Sequence, residues 1–307
     1  MRGNRQTSSL RVLLLIGNWF GLFVGLLSAV VFGFYIADPN FANELSDGDE
    51  TIKNLVPMIV SLVGFAIITN IFFCSFIINF LRKSDDITLL NNRYIIALFS
   101  ISVGGLFTPF VLAQMQNIPI KSTVSPKFTI SKGYGGNSLI AGSLALALYF
   151  GYSLISTKQI FNAGLADQIV VGILSAIVCW GALNCLVFAT PNSKAAWDKK
   201  GIAYKFMNFI AIINLIFATF VLIWQLIAAV LTIFSIFADL FNKKRGFFGA
   251  LLSTTFAAYR IAIQLFIIYT INRIIKGIWA KGDTIEYQDY SRLAEKQREY
   301  EVNEAQA

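Results

Sequence analysis

One arginine and two glutamines lie inside long apolar runs, where no water answers a charge or an amide. Arg260 sits in the run 247–272, and Gln264 follows one turn later on the same side. Gln225 lies 19 residues before Lys244 and Gln264 lies 20 after it, so an antiparallel helical pair about Lys244 places them at similar depth. A charge within a bilayer costs about 2.5–3.5 kcal/mol and therefore faces a partner or a wet cavity. The chemistry expected of Arg260, Gln264 and Gln225 is recognition of an anion or a small polar solute. The alternative is an arginine that snorkels to backbone carbonyls and a lipid phosphate.

A second candidate is the run Gly104-Gly105-Leu106-Phe107-Thr108-Pro109. Proline removes one backbone hydrogen bond and clashes with the preceding turn. Carbonyls freed in this way bind ions and substrates in the broken helices of transporters. Gly104, Gly105 and Pro109 are thus candidate pathway residues, although kinked spans are also common as plain structure.

The remaining chemistry is limited by what the chain lacks. It has no histidine, which removes His-based nucleophilic sites, His metal ligands and His pH sensing. Cys74, Cys179 and Cys185 each lie within an apolar run, with no zinc or disulfide spacing, and read as small buried hydrophobes. There is no phosphate-binding loop. No Asp or Glu occupies the middle of an apolar run, which leans against proton- or sodium-coupled transport and against membrane proteolysis. The expectation is a chain that is not an enzyme, with no catalytic residue, cofactor or metal.

The elements that must position these residues are membrane helices. Of 307 residues, 56% are hydrophobic and only 14% charged, against roughly 25% charged in soluble domains. Apolar runs cover about 12–36, 55–81, 94–114, 137–156, 168–189, 206–241 and 247–272. Their length and uniformity exclude a β-barrel, so helices satisfy the backbone. The fold class expected is all-α: a polytopic transmembrane bundle of about seven hydrophobic segments, with six to eight crossings. The run after Arg2, Arg5 and Arg11 is too long for a cleaved signal peptide. Residues 1–281 form the transmembrane domain, and 282–307 a hydrophilic charged tail.

The connections differ in kind. Asp38, Glu44, Asp47, Asp49 and Glu50 make the first loop acidic. Between Gln116 and Gly136, Ile118, Ile120, Val124, Phe128 and Ile130 alternate with polar residues around Ser125-Pro126, which predicts a surface hairpin. Lys194, Trp197, Lys199, Lys200 and Lys205 predict a segment at headgroup level. The net charge of +8 sits between apolar runs, so anionic lipid headgroups rather than nucleic acid are its expected partners.

Two helices carry packing signals. Gly17, Gly21, Gly25, Ala29 and Gly33 recur every four residues, a strip along which another helix approaches closely. The run 206–241 has neither Gly nor Pro and predicts one helix longer than a bilayer core. Its polar residues Asn214, Gln225, Thr232, Ser235 and Asp239 share a narrow arc.

Charge bears on topology. Seven crossings with the N-terminus inside put 10 Lys and Arg inside and 14 outside, against the positive-inside rule. If 94–114 does not cross, the counts become 19 inside and 5 outside. Gly104-Gly105 and Pro109 are where that run would break into a re-entrant or half helix.

The stretch 102–119, SVGGLFTPFVLAQMQNIP, followed by Ser125-Pro126, resembles uncharacterised multi-pass membrane proteins of mollicutes, the wall-less bacteria. The resemblance covers about one tenth of the chain. It implies a multi-pass protein of a single plasma membrane and supplies no activity, so no residue takes a role from it.

Two function classes remain open. In one, the chain is a permease, channel or transporter component for a small polar or anionic solute, and Arg260→Ala abolishes flux. In the other, it is a non-catalytic scaffold or accessory subunit. The glycine strip, the long helix and the tail then contact a membrane-protein partner or a second copy of the chain. Base rates for multi-pass proteins favour transport slightly.

Overall fold

The computed structural model describes residues 2–38, 40–47, 49–84, 86–102, 108, 111, 126–158, 164–189, 199, 201–242 and 247–279. The described chain is helical throughout: α1 Arg2–Ala37, α2 Phe41–Ser46, α3 Glu50–Lys83, α4 Asp86–Ser102, α5 Pro126–Thr157, α6 Leu165–Val187, α7 Ile202–Asn242 and α8 Phe247–Trp279. Six of them (α1, α3, α5, α6, α7 and α8) are long and apolar enough to cross a membrane. The chain is a multi-pass helical bundle.

Local chemistry sets the helix ends. Pro126 opens α5 at a position where its missing N–H costs nothing. The last carbonyls of α3 are answered from α1, where Arg11 Nη1 donates to Leu81 O at 2.6 Å and to Ser84 O at 2.8 Å. Asp47 ends α2 in the left-handed region, φ 47°, which Asp tolerates better than most residues.

Neighbouring spans alternate in direction. Arg11 meets the end of α3, and Gly25 of α1 packs on Asn70 and Ile71 nearer its middle. Gly136 of α5 meets Phe72 of α3, while Gly64 of α3 meets Leu148 of α5, so α3 and α5 are antiparallel. α5 in turn runs antiparallel to α6, with Gly135 against Asn184 and Gly142 against Val178. α5 is the hub, touching α3, α4, α6 and α7, and α8 packs on α7 and α4.

These directions sort the charges. Arg11, Arg82, Lys83, Lys127, Lys205, Arg273 and Lys276 belong to one end of the bundle, the basic end. Asp38, Glu44, Asp47, Asp49 and Asp239 belong to the other. Because α3 finishes and α5 starts at the basic end, the chain between them enters and leaves on one side. The arrangement has no crossing between α3 and α5, as the positive-inside rule prefers.

The hairpin expected over 116–136 is corrected in part. Residues from Pro126 onward are the first turns of α5, with Ile130 and Ser131 fully buried. The apparent alternation is the inward face of a helix, and Gly133, Gly135 and Gly136, which look like a turn, are close-packing positions against three different helices. Residues 116–125 lie outside the described residues. The predicted long helix is confirmed as the uninterrupted 41-residue α7, about 60 Å long, twice the ~30 Å of a bilayer core.

Candidate functional site

α4 is the element on which the interior is built. Every described side chain on it is buried except Tyr94, which is half-buried. It runs parallel to α5. Near its start, Asn92 Oδ1 accepts from Thr129 Oγ1 at 2.7 Å. Near its end, Phe99 stacks on Phe73 with centroids 4.6 Å apart and meets Tyr134 edge-on at 5.6 Å. Tyr134 is eight residues into α5, about 12 Å along its axis. Ser100 Oγ donates to Asn18 Oδ1 of α1 at 3.5 Å. The last turn of α4 has therefore reached close to half the depth of a ~30 Å core.

Thr108 and Val111 reveal the direction the chain takes after α4. Both are buried, and they line one small cavity together with Leu89, Arg93, Ile96 and Ala97 of α4 and Leu14 of α1. Leu89 lies in the first turn of α4, so the polypeptide has turned back toward the basic end by the time it reaches these residues. α4 and the returning residues make a re-entrant segment, enclosed by α1, α3, α5, α7 and α8. A polar residue at membrane depth is tolerated when protein surrounds it, as it does Thr108. The cavity has room for about one water molecule.

Beside the segment lies a web of amides. Asn214 of α7 donates through Nδ2 to Asn184 Oδ1 of α6 at 2.7 Å and to Ser131 Oγ of α5 at 3.2 Å. Its Oδ1 accepts from Trp180 Nε1 at 2.9 Å. Asn184, Asn214 and Ser131 are each at most 1% exposed. Lys127 Nζ donates to Asn208 Oδ1 at 2.8 Å, closing the same three-helix contact at the basic end. At the opposite end, Tyr149 donates its hydroxyl hydrogen to Asp167, a buried carboxylate in the first turn of α6. Lipid offers no partner to such groups, so each fixes the register of one helix on the next.

A further cluster joins α4 to α8. Arg93 Nη2 donates to Tyr94 Oη at 3.4 Å, and Arg93 Cζ stands 4.7 Å from the centre of that ring. The Arg273 guanidinium of α8 lies near the same hydroxyl. The ring lies against Gly277, where any side chain would collide with it. The net effect is two guanidinium groups from two helices held at one phenol.

The residues singled out from sequence differ in burial. Arg260 is exposed and Gln264 half-buried, and neither makes a hydrogen bond to a described residue. Gln225 is half-buried on α7. Gly104, Gly105 and Pro109 lie outside the described residues. On α1, Gly17 and Gly25 are buried, Gly21 and Ala29 half-buried. A side chain at Gly21 would lie 2.9 Å from Cys74 Sγ, and one at Gly33 would meet nothing within 4 Å. The first half of the strip thus seats α1 on α3. The polar arc of α7 divides: Asn214 is buried, whereas Ser235 and Asp239 are exposed. Cys74 is buried, but Cys179 is exposed on the outer face of α6.

Comparison with protein-family models, with curated proteins and with solved structures returns no match. The site is therefore read from its own chemistry. Sequence reasoning missed Arg93, Arg273, Asn92, Asn184 and Asp167. Each lies at an edge of an apolar run or among small residues, where charge reads as loop and amide as incidental. Arg93 directly precedes an apolar stretch that includes Gly104-Gly105, and that adjacency was the available signal. Among the described residues no three Cys, Asp or Glu side chains gather as a metal site requires.

Proposed function

We propose that this chain is a permease or channel component of the plasma membrane for a small polar or anionic solute, working without a catalytic step. The observation that carries the reading is the re-entrant segment. A half-depth helix and its returning arm, walled in by five helices, are costly to build for support alone. The polar groups Arg93, Thr108 and Asn92 lie inside the bundle, where a permeating solute needs replacement for its water. The basic end faces the cytoplasm in this reading, because Lys and Arg concentrate there.

The test is flux through purified protein in vesicles, with radiolabelled anions and neutral polar solutes. Flux above that of empty vesicles is expected. Thr108→Trp, which fills the cavity, should stop it, and Thr108→Ala should leave it running. Flux indistinguishable from empty vesicles for every solute would overturn the reading. Arg260→Ala decides between routes: loss of flux there, with Thr108→Trp still active, moves the pathway to the outer side of α8.

A further inference from the structure

Buried asparagines in this bundle follow a rule. Asn18, Asn92 and Asn184 each donate through Nδ2 to the carbonyl four residues back, at 2.8, 2.9 and 2.8 Å. Their Oδ1 atoms then accept from another helix, from Ser100, Thr129 and Asn214 in turn. Asn214 is satisfied at both ends of its amide. Asn137 of α5, 5% exposed, is the fifth buried asparagine among the described residues and breaks the rule. It makes no hydrogen bond to any described residue, and its Oδ1 is fully enclosed. Thr69 of α3 is a second exception. Thr219, Thr232 and Thr270 turn their hydroxyls onto the carbonyl four residues back. Thr69 Oγ1 is enclosed and has no partner among the described residues.

The two exceptions stand at one level of the bundle. Phe73 of α3 meets Tyr134 of α5 edge-on at 5.9 Å. Asn137 is one turn beyond Gly133 and Tyr134, on the face of α5 that meets Phe99 and Phe73. Thr69 is one turn before Phe73 on antiparallel α3, on the face that meets Tyr134. Both therefore lie past the same aromatic contact, on the side away from the basic end. Asn137 is ~17 Å from the start of α5 and Thr69 ~21 Å from the end of α3, near the middle of spans of 31 and 32 residues.

An enclosed amide without a partner costs stability, and an apolar side chain of the same shape would cost none. Asn137 offers two N–H donors and a carbonyl acceptor, and Thr69 offers one of each. On their own helices no charge stands beside them. α3 has none between Lys53 and Arg82, and the nearest on α5, Lys132, is exposed with Nζ 5.1 Å from the Phe128 ring. An ion at mid-depth needs a compensating charge that these groups lack. A hydroxyl- or amide-bearing solute needs only hydrogen bonds in place of its water. We propose that Asn137 and Thr69 form a mid-depth binding site for a small uncharged solute that both donates and accepts hydrogen bonds. The inference deepens the permeation reading by choosing the uncharged class of solute over the anionic. It rests on that reading for what the bound solute is for.

Binding is read at the amide itself, apart from flux. The full chain, carrying isotope-labelled asparagine, is placed in nanodiscs, and the magnetic-resonance signal of the Asn137 side chain is assigned by its loss in Asn137→Leu. Glycerol and urea are the probes. A saturable shift of that signal with either is expected, weakened at least threefold by Thr69→Val, while the Asn184 signal stays in place. No shift with either probe, as for an amide that holds a bound water only, overturns the site, and so does a shift that Thr69→Val leaves unchanged. A shift with sodium phosphate and with neither neutral probe overturns the uncharged class. Melting gives a second arm. Asn137→Leu should melt at the parent's temperature or above it, and Asn184→Leu several degrees below. Equal losses in the two would show an amide tied into the structure and overturn the site. In vesicles, Asn137→Leu should stop glycerol and urea flux. Binding without flux keeps the site and overturns permeation. Flux that survives Asn137→Leu, with no shift of the amide signal, does the reverse.

Discussion

α1 and α4 are both apolar helices, yet the bundle treats them oppositely. Only 6% of the apolar window of α1 is buried, and its outer face shows Phe23, Phe34 and Tyr35 to the surroundings. α4 has no described side chain that is exposed. In water the more apolar helix would be the one inside. In a bilayer the tails are as apolar as leucine, so apolarity gives no reason to leave them. What draws a helix inward is its polar groups, since only protein can satisfy them. α4 carries Thr88, Asn92, Arg93 and Ser100, all buried. Even on α1, the one amide in the apolar run, Asn18, is turned inward onto Ser100 of α4.

The sharpest way to break this contrast is topological, because the outcome is all or none. Replace Cys74, Cys179 and Cys185 with alanine and place single cysteines at Lys83 and Lys205. If α4 enters and returns, both label from the same side with a membrane-impermeant maleimide, and a cysteine at Lys158 labels from the other. If the segment crossed instead, Lys83 and Lys205 would label from opposite sides, and the reading of α4 as re-entrant would be lost.

The next largest effect is expected at the amide web. Asn214→Leu leaves Trp180 Nε1, Asn184 and Ser131 without their shared partner. Interhelical hydrogen bonds in membranes are worth about 0.6–2 kcal/mol each, and buried orphans add to the loss, so roughly 3 kcal/mol should go. Unfolding in mixed micelles measures it. A loss below about 0.5 kcal/mol would mean that packing alone holds α5, α6 and α7.

A smaller loss tests the seat of α4. Gly133 of α5 faces the Phe99 ring so closely that any side chain would overlap it. Gly133→Leu should destabilise by about 2 kcal/mol, within the range for overpacked interiors. The same assay reads it, and a neutral result would show that α4 can shift without cost.

The contrast also explains what was legible from residue order alone. Fold class and the unbroken α7 follow from run length and from the absence of Gly and Pro, both local properties, whereas run length gives seven segments where the described helices include six candidate spans. The start of α5 was misread because Phe128 and Ile130 alternate with polar residues after Ser125-Pro126, the pattern of a hairpin in water. In a bundle Gly133, Gly135 and Gly136 let three helices approach. The site was harder still. Arg260 stands out in sequence because it is surrounded by apolar residues, yet on a helix exposed to lipid its side chain lies on the surface. Arg93 and Arg273 stand at run edges and come near one phenol only when α4 packs beside α8. Such a meeting depends on tertiary path, which periodicity does not carry.

The mildest test lies within α1 itself. Its glycine strip is one pattern in sequence but two surfaces in the fold. Gly25 faces Asn70 Nδ2 at 2.8 Å and Ile71 Cγ1 at 3.0 Å from a would-be Cβ, while Gly33 faces open space. Gly25→Leu must push α1 off α3, and should destabilise by about 1 kcal/mol. It is kept modest because a peripheral helix can move outward into lipid. Gly33→Leu should stay within about 0.5 kcal/mol of the parent, as expected of a position that touches nothing. Measured in the same micelles, equal losses at the two positions would show that something outside this chain covers Gly33. A second copy or another membrane protein would then share the far half of the strip, and cross-linking from a cysteine at Gly33 would tell which.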